Sequence, residues 1–270
     1  MKGCRIRWGV LIGFVTALGI LAPSFATFDN ADAAQKSRKA RPAKAAKAAP
    51  KRPIAPTTPS KDAAVVVDGA TGHVILSRNA DELRYPASLT KMMTLYVLFE
   101  ALDKGTVKFD SHFTTSAYAS GVYPTKLGLK PGETISVELA IKAIAVLSAN
   151  DAATVVAEGL AGSESRFAER MTAKARALGM TKTNFENASG LPNPRQMTTA
   201  NDMAMLGRHL AYDYPQYYHY FATPSFKFKQ RTYNTHDHLL NSYAGTDGIK
   251  TGYTRASGFN LVSSVVRNNR

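Results

Sequence analysis

Strand-forming sequence stands at the two ends of the foldable part of this chain, and helix-forming sequence fills the space between. Ala63-Ala64-Val65-Val66-Val67-Asp68 is a short apolar run, Gly69-Ala70-Thr71-Gly72 supplies a turn, and His73-Val74-Ile75-Leu76-Ser77 is a second run rich in β-branched residues. This pattern predicts two antiparallel strands. Residues 247–254 and 258–266 read as two further strands near the other end. Between them, residues 88–102 predict a helix entered through Pro86, with Leu95, Leu98, Phe99 and Leu102 as its core face and a stop near Lys104-Gly105. Residues 136–147 predict a nearly buried helix, and another begins at Ala152. Two more span 163–178, ending at Gly179, and 199–212, ending near Pro215. Strands that open and close a helical stretch give an α+β fold, an antiparallel sheet with helices against it.

Two stretches are less regular. Tyr118, Gly121, Tyr123-Pro124 and Pro131-Gly132 mark a surface excursion near a cleft. Tyr and Phe crowd into residues 212–233, which reads as the packing of a helix-to-sheet crossover.

The formal net charge of +14 over 270 residues suggests a nucleic-acid binder until the charges are located. Residues 1–61 hold 12 Lys/Arg against 2 Asp/Glu, net +10, which leaves 22 against 18, net +4, for residues 62–270. The basicity belongs to the tail, and no nucleic-acid partner is expected. Lys2, Arg5 and Arg7 precede an apolar stretch over residues 8–22, followed by Pro23-Ser24-Phe25-Ala26. That is the pattern of an export signal peptide over residues 1–26, with a second cleavage point after Ala31-Asp32-Ala33 and an uncleaved anchor as the alternative. Residues 27–61 form a linker whose Ala, Lys, Arg and Pro content, pronounced from Ala34, keeps it extended and solvated. Its charge also suits association with anionic wall polymer or membrane head groups. The expected location is extracytoplasmic, in the periplasm or its equivalent. Cys4 precedes the apolar stretch, so the exported chain would have no thiol. That excludes a cysteine nucleophile, a disulfide scaffold and a thiolate metal site. His236-Asp237-His238 has no third ligand cluster nearby, so no metal and no cofactor is expected.

Three polar triplets follow one another along residues 62–270: Ser88-x-x-Lys91, Ser148-x-Asn150 and Lys250-Thr251-Gly252. At helical spacing Ser88 and Lys91 share a face, so a hydroxyl meets an amine at the positive end of a helix. Ser77-Arg78-Asn79 repeats the second pattern, but it precedes Ser88 and lies at a strand turn. Lys-Thr-Gly occurs once.

With the segments around these motifs, the chain resembles the D-alanyl-D-alanine carboxypeptidases, low-molecular-mass penicillin-binding proteins of the serine peptidase family that shares its fold with the serine β-lactamases. The resemblance runs over about residues 62–266. It is carried by Asp68 to Gly72, Tyr85-Pro86-Ala87-Ser88-Leu89-Thr90-Lys91-Met92-Met93-Thr94, Ser148-Ala149-Asn150-Asp151-Ala152-Ala153, Asn187-Ala188-Ser189-Gly190-Leu191 and Asp247-Gly248-Ile249-Lys250-Thr251-Gly252. It implies a β-lactamase/transpeptidase-like antiparallel sheet with helices on both faces and an all-helical insert, within a catalytic domain over residues 62–270. It also implies peptidoglycan pentapeptide stems as substrate and β-lactam antibiotics as covalent inhibitors.

In that resemblance Ser88 is the nucleophile that forms an acyl-enzyme, and Lys91 is its base, neutral because burial and the second cation Lys250 depress its pKa. Ser148 relays a proton to the leaving amine, while Asn150 binds the substrate amide and orients Lys91. Lys250 and Thr251 meet the substrate carboxylate, and Gly252 lets the strand approach closely. Tyr253 and Ser88 supply the backbone N–H groups of an oxyanion hole. A β-lactamase is disfavoured because Glu186, in Asn184-Phe185-Glu186-Asn187, lacks the Glu-x-x-Leu-Asn context of a deacylating base. The alternatives are a DD-endopeptidase acting on cross-links and a catalytically silent wall-binding or penicillin-sensing module. Relatives continue with a further strand and a C-terminal helix, whereas this sequence stops at Arg270. The expectation is a chain truncated before both, with an uncovered sheet edge and apolar face, poor solubility and weak activity.

Overall fold

The structure, a computed structural model, describes residues 9–11 and 61–267. Its first strand is Gly9–Leu11 (β1). Ala64–Val67 (β2) and Val74–Arg78 (β3) form the hairpin read from the sequence. Asp68 closes it, its N–H donating to His73 and its carboxylate accepting from the Thr71 N–H at 2.7 Å. A 3-10 turn over Ala87–Leu89 leads directly into Thr90–Asp103 (α1). His112–Thr114 (β4), Ala117–Gly121 (α2) and Thr134–Ser136 (β5) follow. Val137–Lys142 (α3) continues through a π-helical turn, Ala143–Leu147, and then come Asn150–Ala161 (α4) and Glu164–Ala177 (α5). The chain returns through Ala200–Asp213 (α6), Pro215–Tyr218 (α7), Ser225–Phe228 (β6), Arg231–Asn234 (β7) and Leu239–Ser242 (α8). It closes on Thr246–Thr254 (β8) and Gly258–Val265 (β9).

The main sheet has the order β3-β2-β1-β9-β8, antiparallel throughout. Its β1 comes from the apolar stretch read as part of a leader, with Val10 opposite Val67 on one side and Ser264 on the other. The rest of the leader and most of the linker lie outside the described residues. Among the described residues no helix is long and apolar enough to cross a membrane. Val74, Ile75 and Leu76 on the edge strand β3 are exposed.

The helices start where short polar side chains can cap them. Ser136, Ser163 and Thr199 accept the N–H groups of Leu139, Arg166 and Asp202 at the starts of α3, α5 and α6. α1 departs from the sequence expectation of a single core face: every residue from Thr90 to Leu102 is buried. A helix with no polar stripe is covered on all sides, here by α4, α5 and α6. Its buried acid, Glu100, accepts from Lys104 at 2.6 Å and from Lys174 of α5 at 2.9 Å. Two antiparallel strand pairs were not foreseen, β4 with β5 and the hairpin of β6 with β7. Each falls in a stretch whose polar or aromatic content hid its alternation, and Phe226 stacks on Tyr233 across the second at 5.4 Å.

Candidate active site

The turn Ala87–Leu89 and the first turn of α1 bring Ser88 and Lys91 together. Ser88 Oγ lies 3.2 Å from Lys91 Nζ. Lys91 also donates to Asn150 Oδ1 at 2.6 Å and to the Ser189 carbonyl at 2.5 Å. Asn150 cannot turn its amide away, because its Nδ2 donates to the Tyr123 carbonyl at 2.8 Å. A neutral amine has two N–H bonds and one lone pair. With both N–H groups accepted by Asn150 and Ser189, the lone pair is left for the Ser88 hydroxyl.

The electrostatics favour that neutral form. Lys91 is completely buried, and its pKa lies well below the ordinary lysine value, first through desolvation and then through Lys250. Glu164 and Asp151 oppose the shift. Lys250 is itself buried on β8, and burial lowers its pKa to about 8 while Asp237 supports its charge. The second cation thus acts on Lys91 as the sequence suggested.

Ser148 enters through a backbone the sequence did not disclose. It follows the π-helical turn with φ +62, a left-handed conformation uncommon for a residue with a side chain. Its Oγ is buried and has no hydrogen-bond partner among the described residues. Ser148 thus stands next to the segment that holds Lys91 without being bonded to it. Such buried unpaired groups are rare, and functional sites are one of their usual homes.

β8 forms the opposite wall. Gly252 packs on the turn carrying Ser88: a Cβ there would stand 2.9 Å from the Ser88 nitrogen. The absence of a side chain therefore lets the strand reach the Ser88 N–H, with the Tyr253 N–H next along the chain. Thr251 is half-buried opposite Leu261. Tyr253 is exposed, its ring 4.6 Å from Phe259. The three motifs, some 160 residues apart at their extremes, thus meet, Lys91 bonding Asn150 and Gly252 packing on the Ser88 turn.

Further residues build the site without having been assigned a role in the sequence. The carboxylate of Asp151 accepts N–H groups from Leu127, Gly128 and Leu129 at 2.9–3.1 Å and fixes the segment that holds Asn150. Glu164 accepts from the Ala188 N–H at 3.0 Å and from the Tyr118 hydroxyl at 2.8 Å, while Thr94 donates to the Ala188 carbonyl at 2.7 Å. Together they clamp the loop whose next carbonyl, Ser189, receives Lys91. The only sequence signal for that loop was Asn187-Ala188-Ser189-Gly190-Leu191, matched through the resemblance without a task.

A model of the D-alanyl-D-alanine carboxypeptidase family, Peptidase_S11, matches residues 48–270. The chain belongs to this family. It is 39% identical over 213 residues to the D-alanyl-D-alanine carboxypeptidase DacC of Escherichia coli K12, covering 76% of this chain and 53% of that one. Penicillin-binding protein 5 of Haemophilus influenzae superposes with a TM-score of 0.75 at 32% identity, over 80% of this chain and 64% of that one. Penicillin-binding protein D2 of Listeria monocytogenes, in its ampicillin-bound form, gives 0.63 at 28% identity, over 76% and 88%. The fold is that of the penicillin-binding carboxypeptidases, as the sequence resemblance implied. The chain spans about half the length of the first curated carboxypeptidases it matches.

Proposed function

We propose that the chain is a serine-type D-Ala-D-Ala carboxypeptidase that removes the terminal D-alanine from peptidoglycan stem peptides and is acylated by β-lactams. The observation that carries this reading is the arrangement at Lys91, whose N–H groups have acceptors in Asn150 and Ser189 while Ser88 Oγ faces the remaining position at 3.2 Å. The family membership and the ampicillin-bound relative support it.

In this reading Lys91 takes the Ser88 proton as Oγ attacks the carbonyl between the two D-alanines. The tetrahedral oxyanion forms beside the N–H groups of Ser88 and Tyr253. Lys250 and Thr251 hold the terminal carboxylate. Collapse expels D-alanine, whose amine takes a proton through Ser148, and leaves the acyl ester on Ser88. Water then attacks the ester, the peptide acid departs and the proton returns to Ser88. Export through the leader at residues 1–26 places the enzyme with its substrate, and the basic linker of residues 27–61 keeps it near an anionic wall or membrane surface.

Mass spectrometry of penicillin-treated protein should show one acyl adduct on Ser88, absent in Ser88→Ala. Release of free D-alanine from a pentapeptide stem, without cleavage of cross-linked dimers, distinguishes the carboxypeptidase from an endopeptidase. Labelling that survives in Ser88→Ala refutes the assignment.

A further inference from the structure

The segment Asn187-Ala188-Ser189-Gly190-Leu191 meets the candidate site with its main chain. The Ser189 carbonyl accepts from Lys91 Nζ at 2.5 Å. One residue on, a Cβ on Gly190 would stand 1.9 Å from the Ala87 carbonyl oxygen and 2.9 Å from the Ser88 nitrogen. Neither contact is made by a side chain, so both depend on what fixes the turn. The amide of Asn187 fixes it. Its Oδ1 accepts the Gly190 N–H at 2.7 Å, the Ser189 N–H at 3.2 Å and the Ser189 hydroxyl at 3.3 Å. Its Nδ2 donates to the Leu191 carbonyl at 3.0 Å and closes the turn from the far end. Asparagine suits this place because its side chain is short enough to reach N–H groups two and three residues on, and it carries an acceptor and a donor on one planar group. Behind it Gln196, only 2% exposed, accepts the Glu186 and Asn187 N–H groups at 3.1 and 3.2 Å and donates to the Leu191 carbonyl at 3.2 Å.

Building on the carboxypeptidase reading of the site, we propose that Asn187 is a positioning residue: by fixing the Ser189-Gly190 turn it aims Lys91 at Ser88 Oγ and seats the Ser88 backbone. Without the amide, the Ser189 and Gly190 N–H groups lose their acceptor, the turn relaxes and the Ser189 carbonyl withdraws from Lys91 Nζ. The amine then keeps Asn150 as an acceptor, and its lone pair is no longer confined to the direction of the Ser88 hydroxyl. A carbonyl accepts more strongly from an ammonium than from a neutral amine, so its withdrawal also disfavours the charged form of Lys91. The charged groups that act on Lys91 are Lys250 of β8, Glu164 of α5 and Asp151 of α4, and replacing Asn187 alters none of them.

Asn187→Ala removes the amide, and Asn187→Ser returns a weaker acceptor for the same N–H groups. Stopped-flow penicillin labelling, carried out below the melting transition of each variant, separates the initial binding constant from the acylation rate. In Asn187→Ala the plateau acylation rate should fall by at least about tenfold while the binding constant changes by less than about twofold. The acid limb of the rate profile should move to lower pH, and Asn187→Ser should recover part of both changes. A purely structural role would shrink the fraction of protein that labels and leave the rate and limb of the remainder at wild-type values, and that result overturns the proposal. Nuclear magnetic resonance titration of lysine labelled at Cε, with Lys91→Met to assign the signal, reads the same contact without turnover. Lys91 should titrate lower by roughly half a pH unit or more in Asn187→Ala, and an unmoved titration also overturns the proposal. If wild-type protein fails to label with penicillin, the functional reading falls instead, and the Lys91 titration still decides whether Asn187 holds the Ser189 carbonyl to the amine.

Discussion

Gly190 is packed so closely on Ala87 that a single added carbon would overlap the Ala87 carbonyl and approach the Ser88 nitrogen to 2.9 Å. Ala87 itself has φ +47, a conformation that disfavours a side chain by roughly 1–2 kcal/mol. The residue before Ser88 is thus held in an uncommon backbone state with a glycine against it. Gly190, with φ +86, also has the backbone freedom this position requires. Gly190→Ala should displace the nucleophile turn and slow penicillin acylation by at least about tenfold, equivalent to roughly 1.4 kcal/mol of barrier. Stopped-flow acylation together with a thermal melt checks this. An unchanged acylation rate would show that the turn does not depend on the close contact.

Asn150→Asp tests the protonation state of Lys91. A carboxylate in place of the amide, whose oxygen lies 2.6 Å from Lys91 Nζ, favours the ammonium and raises the Lys91 pKa. Because the proposed reaction needs the neutral amine, the acid limb of the acylation profile should move to higher pH. Activity near pH 7 should fall and be partly restored by raising the pH. A uniformly depressed profile with an unshifted limb would assign Asn150 to substrate binding alone.

Asp151→Ala should destabilise the protein. The carboxylate serves three N–H groups in the Leu127–Leu129 segment and the Ala152 N–H of its own helix. Leaving buried donors unpaired costs about 1–3 kcal/mol each where the segment cannot relax, so a loss of at least about 3 kcal/mol in urea unfolding is expected. Asp151→Asn, which retains one acceptor oxygen, should lose less.

Asp247 makes stability depend on pH in a direction opposite to that of an ordinary salt-bridged acid. Burial raises its pKa from 3.8 to about 7 in the folded protein. The folded state therefore holds the proton more tightly than the unfolded chain. Its contribution is fully present below the unfolded pKa and is lost as the pH rises toward and through about 7. Asp247→Asn should melt above wild type at pH 8, and the gap should narrow toward pH 5. A gap that does not change with pH would show that the carboxyl titrates normally.

The parts of the molecule that could be read from the sequence are those whose physics is local. The hairpin of β2 and β3 has alternating branched residues around a turn, and α5 has a serine cap at one end and Gly179 at the other. The three motifs carried side-chain chemistry at fixed spacing, and the fold brings Lys91 to Asn150 and the β8 backbone to Ser88. Main-chain roles were harder to see. The Ser189 carbonyl that receives Lys91 has no residue-type signature, and neither have the left-handed backbones of Ala87 and Ser148. Asn187 stood within a segment matched through the resemblance, but its hold on the Ser189 and Gly190 N–H groups exists only once the loop has turned. The short polar strands of β4 and β5 offer too few positions for a pattern to emerge.

The complete burial of α1 from Thr90 to Leu102 also determines where variation can accumulate. The helix that carries Lys91 has no free face on which a substitution could escape its neighbours, since changes of even a methylene are felt in a close-packed interior. Substitutions are therefore accommodated more readily at exposed positions such as Tyr123 and Tyr253, which can change without disturbing that packing.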